Sequence, residues 1–154
     1  MIQENSSIPA FQGIDHEGKS VSLQDFLGRK LVLYFYPKDD TPGCTIEACG
    51  FRDAYETLRA SGAEIVGVSK DSVQSHQKFR AKHELPFSLI ADLEGKLCDL
   101  FGVMKEKSMY GKTYLGIERS TFLIDEKGTL RKIWSPVSVP GHIDEVIDAV
   151  RHLV

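Results

Sequence analysis

The chain has 154 residues, of which 42% are hydrophobic and 27% are charged, and this composition is close to that of an average soluble globular protein. It excludes intrinsically disordered, collagen-like and fibrous proteins, and the length predicts one domain over residues 1–154. The formal net charge of −3 argues against nucleic-acid binding, because that affinity depends on neutralising phosphates.

The N-terminal part of the chain predicts a β-hairpin followed by a buried strand. Two short segments at residues 11–14 and 20–23 flank a turn that ends in Gly18, which is the pattern of a hairpin. Residues 23–27 predict a short helical turn. Residues 31–36 are apolar at every position, as is typical of a strand that is buried on both faces.

Helices and strands then alternate. The turn Thr41-Pro42-Gly43 precedes a helix from about Cys44 to Arg59. Its predicted apolar stripe consists of Ile46, Phe51, Tyr55 and Leu58. The later predictions are strands at 64–69, 88–91, 120–124 and 130–134, helices at 72–84 and 95–101, a loop at 104–116, and a final helix from His142. This alternation predicts an α/β fold with a mixed central sheet flanked by helices.

The N-terminal residues carry no basic and apolar segments of the kind found in secretory signals. The longest apolar run is far too short to cross a membrane. We therefore expect a cytoplasmic protein without a membrane partner. In that compartment the three cysteines would be packing residues, metal ligands or redox groups rather than a disulfide framework.

Cys44 is the first candidate for chemistry, because it lies where a buried strand has ended and a helix begins. The carboxyl ends of parallel strands are where open α/β sheets bind ligands. A helix N-terminus adds unpaired N–H groups and partial positive charge, both of which favour a nucleophilic thiolate. Thr41, three residues earlier, can bring its hydroxyl near the sulfur.

Cys49 follows Cys44 by five residues. In a regular helix this spacing separates the two Cα atoms by roughly 8.6 Å, whereas a disulfide fails beyond about 7 Å. Either the two cysteines never pair, or the first turns of the helix must unwind. Gly43 and Gly50 bracket the segment and lower the cost of unwinding, since glycine weakens a helix.

The remaining thiol and the histidines favour structural roles. Cys98 lies on an apolar helical face, which favours packing. His76 and His83 share a face of the 72–84 helix, which we expect to be solvated. No histidine pairs with a cysteine at zinc-site spacing, and no phosphate-binding glycine loop is present. We expect no metal and no bound cofactor.

Two separated motifs carry a resemblance to a known family. The segment Phe-Tyr-Pro-Lys-Asp-x-Thr-Pro-Gly-Cys-Thr contains the pattern P-x-x-x-T-x-x-C at Pro37, Thr41 and Cys44. A second motif runs from Gly111 to Arg119 and on through Thr-Phe-Leu-Ile-Asp. Together they resemble the peroxiredoxins of the bacterioferritin comigratory protein (PrxQ) group, over nearly the whole chain.

The resemblance implies a thioredoxin-like fold and a thiol peroxidase that reduces hydrogen peroxide and organic hydroperoxides, recycled by thioredoxin. It implies that Cys44 is the peroxidatic nucleophile, that Thr41 hydrogen-bonds peroxide and thiolate, and that Pro37 shields the pocket. Arg119 would hold the thiolate and the peroxide oxygens. Cys49 occupies the resolving position of one branch of the group, which implies a Cys44–Cys49 redox disulfide.

Alternatives to this interpretation remain. Another branch places its resolving cysteine in the next helix, where Arg80 stands here. The other hypotheses are a backup resolving role for Cys98, an external thiol that resolves Cys44, a non-catalytic thioredoxin-like module, and a disulfide reductase. The C-x4-C spacing disfavours the last of these. The chain stops at Val154, without the C-terminal extension through which other peroxiredoxins exchange a resolving cysteine. We therefore expect a monomer.

Overall fold

The computed structural model describes residues 2–153, so Met1 and Val154, the ends of the predicted domain, lie outside the described residues. Its strands are β1 Gln12–Ile14, β2 Ser20–Ser22, β3 Lys30–Phe35, β4 Ala63–Ser69, β5 Ser88–Ala91, β6 Met104–Met109, β7 Lys112–Ile117, β8 Ser120–Ile124 and β9 Leu130–Trp134. Its α-helices are α1 Pro42–Ala60, α2 Val73–Lys82, α3 Lys96–Leu100 and α4 His142–His152. A 3₁₀ turn at Leu23–Phe26 follows β2.

The central sheet has five strands in the order β5-β4-β3-β8-β9. The β3–β4 and β4–β5 pairs are parallel, and the β3–β8 and β8–β9 pairs are antiparallel. The predicted mixed sheet is therefore confirmed, as is the N-terminal hairpin, in which β1 pairs with β2. The parallel pairs are joined through α1 and α2, as crossover connections require.

Strand β3 lies at the centre of the sheet and divides the core in two. Leu31, Leu33 and Phe35 belong to one buried cluster, which also contains residues of α3 and of the N-terminal hairpin. Val32 and Tyr34 belong to the other cluster, with residues of α1, α2 and α4. Side chains alternate across a strand, so apolar residues at every position mean that both faces are covered.

The prediction of a loop at residues 104–116 is wrong. Strands β6 and β7 form an antiparallel hairpin there, joined by Tyr110 and Gly111 with φ of 52° and 76°. Two consecutive positive φ values are what a two-residue type I′ turn requires. The pattern was hidden because side chains on both faces of the hairpin are mostly exposed, which removes the alternation of apolar and polar residues.

Two details of α1 also differ from the predictions. The helix begins at Pro42, two residues before the predicted start, and Thr41 is its N-cap. Ile46, which was assigned to the apolar stripe, is exposed. The buried face consists of Cys44, Glu47, Ala48, Phe51, Ala54 and Leu58, so a carboxyl group takes the place expected for an apolar side chain.

None of the helices within residues 2–153 combines the length and the apolar character that a membrane-spanning helix needs.

Candidate active site

Cys44 lies in the first turn of α1, just beyond the carboxyl end of β3. Its side chain is buried. The sequence forms the turn here because Thr41 adopts the extended backbone of an N-cap and proline at the first helical position needs no N–H partner. Cys44 therefore lies at a helix N-terminus, which offers unpaired N–H groups and partial positive charge.

The Arg119 guanidinium contacts two residues of α1, Cys44 and Glu47. Its Nη2 donates to the Sγ of Cys44 at 3.2 Å, and its Nη1 donates to Oε1 of Glu47 at 2.8 Å. The guanidinium comes from the junction between β7 and β8, 75 residues further along the chain than Cys44. The pairing of β8 with β3 is what brings the two together.

Two glycines of α1 have a packing reason that their sequence positions did not reveal. A Cβ on Gly43 would lie 3.2 Å from Nη2 of Arg119, and one on Gly50 would lie 2.8 Å from Cγ1 of Ile143. Gly43 thus lets the guanidinium approach the helix backbone, and Gly50 lets α4 pack closely on α1. They act as close-contact positions as well as weak helix formers.

Glu47 was missed by the sequence analysis, although it lies three residues after Cys44. Burial raises its pKa to about 7, even though the adjacent Arg119 acts in the opposite direction. Its Oε2 and the hydroxyl of Tyr34 are buried and have no hydrogen-bond partner among the described residues. The only signal in the sequence is an acid on the buried face of an otherwise apolar helical stripe.

The raised pKa of Glu47 predicts a pH dependence of stability. Because this pKa rises from 4.5 to about 7 on folding, the group stabilises the fold fully below about pH 4.5, and that contribution is lost as the pH rises through 7. For one proton, the free energy of unfolding changes by at most about 1.4 kcal/mol per pH unit. Glu47→Gln should flatten the slope, measured by urea unfolding between pH 5 and 8. An unchanged slope in the variant would contradict this prediction.

The other predicted site residues lie in the loop before α1. The hydroxyl of half-buried Thr41 donates to the carbonyl oxygen of Lys38 at 2.9 Å, which leaves its oxygen lone pairs able to accept a hydrogen bond. Pro37 is exposed where β3 ends. Of the predicted site residues, Arg119 is the one whose side chain contacts Cys44 Sγ, while Thr41 lies at the N-cap of the same helix.

The other two cysteines differ in access. Cys49 is half-buried within the intact α1, and all three thiols are free. Cys98 is fully buried, and its pKa is raised well above the ordinary thiol value, chiefly by burial and then by a hydrogen bond to Asp92. A protonated, inaccessible thiol is unreactive, as expected of a packing residue.

The expectation for His76 is wrong. Its side chain is fully buried rather than solvated, and it contacts Asp39 of the loop before α1. Asp39, Asp71 and His76 form a group of residues with metal-ligating side chains, but these atoms hydrogen-bond one another and their neighbours. His83, by contrast, is half-buried beside Asp40.

Comparison with known proteins decides the family. The AhpC/TSA family matches residues 5–133. The chain belongs to that family. It is 52% identical to peroxiredoxin Bcp of Bacillus subtilis over 139 residues, which cover 90% of this chain and 88% of the relative. It is thus a peroxiredoxin of the Bcp/PrxQ group, a peroxidase that acts on hydroperoxides.

Solved structures agree with this assignment. A Xylella fastidiosa PrxQ variant superposes with a TM-score of 0.93 at 37% identity, covering 98% of this chain and 96% of that one. A Xanthomonas campestris bacterioferritin comigratory protein, described by its alkyl peroxide reduction activity, gives a TM-score of 0.87 at 45% identity, with 92% and 90% covered. The predicted thioredoxin-like fold of this peroxiredoxin is confirmed.

Proposed function

We propose that this peroxiredoxin reduces hydrogen peroxide and organic hydroperoxides through Cys44 as the peroxidatic nucleophile. The observation that carries the proposal is the contact between Arg119 Nη2 and Cys44 Sγ at 3.2 Å, in the first turn of α1. A guanidinium and a helix N-terminus both favour the thiolate. The alkyl peroxide activity of the Xanthomonas relative supports the inclusion of organic hydroperoxides.

In the first step the Cys44 thiolate attacks one peroxide oxygen. The O–O bond breaks, the second oxygen leaves with the bonding electrons and takes up a proton, and Cys44 becomes a sulfenic acid. Arg119 stabilises the charge that develops on the oxygens, because its donors are fixed before the reaction begins. The Thr41 oxygen accepts a hydrogen bond from the peroxide, and Pro37 shields the pocket.

In the second step Cys49 resolves the sulfenic acid. Its sulfur attacks Cys44 Sγ, water leaves, and the disulfide forms. Both cysteines belong to one continuous helix, where their Cα atoms are roughly 8.6 Å apart, so the first turns of α1 must unwind before they can bond. An external dithiol then reduces the disulfide, and we propose a thioredoxin-like protein for this role.

The proposed cycle also supports a cellular compartment and an oligomeric state. Regeneration by a dithiol requires a reducing compartment, which supports the cytoplasm. Cys44 and Cys49 lie in the same helix, so the proposed cycle needs no second subunit and is compatible with a single-domain monomer. No bound cofactor enters any step.

Cys49→Ser is expected to separate the two steps. The variant should still reduce one equivalent of peroxide, because the attack belongs to Cys44. It should then stall as the sulfenic acid, lose turnover with thioredoxin and overoxidise readily. Stopped-flow peroxide consumption and intact mass spectrometry measure these outcomes. Sustained turnover by the variant would instead favour an external resolving thiol.

Disulfide mapping by mass spectrometry after one equivalent of peroxide tests the pairing directly. A Cys44–Cys49 peptide in the oxidised wild-type protein is the expected result. A Cys44–Cys98 peptide would assign resolution to Cys98, which its burial makes the less accessible partner.

A further inference from the structure

A buried network of polar side chains surrounds Asp39, in the loop that precedes α1. The Asp39 carboxylate accepts from the Tyr36 hydroxyl at 2.6 Å and from the Ser75 hydroxyl at 2.7 Å. His76 Nδ1 lies 2.7 Å from the same carboxylate. The Asp39 backbone N–H donates to the Asp71 carboxylate at 2.8 Å. These partners come from the residue that follows β3, from α2 and from the segment after β4.

The hydrogen bonds of His76 determine how many protons its ring carries. Its Nε2 lies 2.9 Å from the carbonyl oxygen of Ile90, which can only accept, so Nε2 must be a donor. Its Nδ1 faces the Asp39 carboxylate. Either His76 is an imidazolium beside an ionised Asp39, or Asp39 is protonated and donates to Nδ1. The Tyr36 and Ser75 hydroxyls also donate to the carboxylate, which favours the ionised form.

We propose that Asp39 and His76 form a buried ion pair that positions the loop 38–41 beside Cys44. The inference rests on the proposed nucleophilic role of Cys44. Asp39 and His76 are positioning residues, since they act through the loop. Buried ion pairs add little stability on balance but restrict geometry strongly when their hydrogen bonds are satisfied.

The loop conveys this restraint to the site through a short chain of contacts. The Lys38 carbonyl, next to Asp39, accepts the Thr41 hydroxyl at 2.9 Å. Asp40, with φ of 59°, is held from outside by Lys82 at 2.8 Å. The anchors of Asp39 and Asp40 thus lie on elements other than α1.

This arrangement separates the fixed part of the site from the part that must move. Unwinding the first turns of α1 breaks hydrogen bonds within that helix, whereas the bonds of Asp39 go to Tyr36 and to two residues of α2 and do not involve α1. The loop therefore remains a template on which the helix start forms again after reduction. A network of this kind allows one segment to open without releasing its neighbour.

The first test is the protonation of His76 in the reduced wild-type protein. Nitrogen NMR near neutral pH should show a proton on both Nδ1 and Nε2. In Asp39→Asn the amide can donate to Nδ1, so that the ring should keep only the proton on Nε2. A neutral His76 in the wild-type protein would overturn the ion pair, and this readout does not depend on any role of Cys44.

The second test is kinetic. Asp39→Asn should slow the reaction of the reduced protein with hydrogen peroxide by roughly ten- to a hundredfold, since a small misplacement of reacting groups has that effect. The following disulfide step should keep its rate, because it depends on unwinding of α1. Slower peroxide reduction with an unchanged rate of disulfide formation distinguishes a positioning role from a general loss of stability.

Asp125→Asn is the matched control. Asp125 is 9% exposed against 7% for Asp39, accepts backbone hydrogen bonds from Lys127 and Thr129, and lies beyond the opposite end of the sheet. The control should keep the wild-type peroxide rate. Equal peroxide rates in Asp39→Asn and wild type would overturn the positioning role. Failure of the proposed function would show in a separate experiment, because Cys44→Ser would then still reduce peroxide.

Discussion

Replacing Cys44 by serine is expected to abolish peroxide consumption. A serine hydroxyl at the start of α1 remains protonated under conditions in which a thiol gives appreciable thiolate, and oxygen does not form the sulfenic acid that stores the oxidising equivalent. The side chain is buried and nearly isosteric, so the fold should persist. The measurement is peroxide loss with thioredoxin and its reductase supplied in excess.

Cys98→Ala is the matched control for this experiment. It removes a fully buried thiol of α3 and should leave turnover at the wild-type level. Wild-type turnover by Cys44→Ser would refute the proposed mechanism, whatever the behaviour of Cys98→Ala.

The second large effect is expected for Arg119→Ala, which should slow the reaction with peroxide by roughly a hundred- to a thousandfold, or about 3–4 kcal/mol. The substitution removes the donor to Cys44 Sγ and the donor to Glu47 Oε1 together. The fraction of thiolate at neutral pH should fall as well. Ultraviolet absorbance of the thiolate and rapid-mixing kinetics measure the two effects.

Arg131→Ala provides the comparison. Arg131 pairs with Asp125 at 3.3 Å, next to the β8–β9 turn, and its loss should leave the peroxide rate unchanged. Arg119→Lys should recover only part of the activity, because a single ammonium cannot donate to Cys44 and Glu47 in the planar geometry of a guanidinium. If Arg119→Ala kept both the thiolate fraction and the rate, Arg119 would have no part in the chemistry.

The fold was predictable where side-chain patterns report burial. Strand β3 and helix α4 were identified because burial on both faces of a strand and on one face of a helix leaves distinct periodicities. The β6–β7 hairpin was missed for the same reason, since its faces are mostly exposed. Its turn at Tyr110-Gly111 also lacks the Asn-Gly or Asp-Gly pair that marks such hairpins most clearly.

The candidate site was predictable to the extent that it follows the chain. Thr41 and Cys44 are neighbours at one helix start, and their spacing was sufficient to select them as candidates. Arg119 was selected as a candidate from a resembling motif, while its contact with Cys44 depends on the antiparallel pairing of β8 with β3. Glu47 was assigned no role, because a sequence does not show that an acid on a helix faces the core.

The sequence by itself determined the kind of chemistry. A cysteine in a Thr-Pro-Gly-Cys turn after a buried strand implies an activated thiol, and the spacing to Cys49 implies that their bonding requires unwinding. These properties are local, so they follow from residue order. The tertiary structure alone decided which distant groups contact that segment, namely the Arg119 guanidinium from the junction of β7 and β8, and His76 of α2, which is buried against Asp39. Such contacts join residues far apart in the chain, and only the packing of sheet and helices fixes their distances.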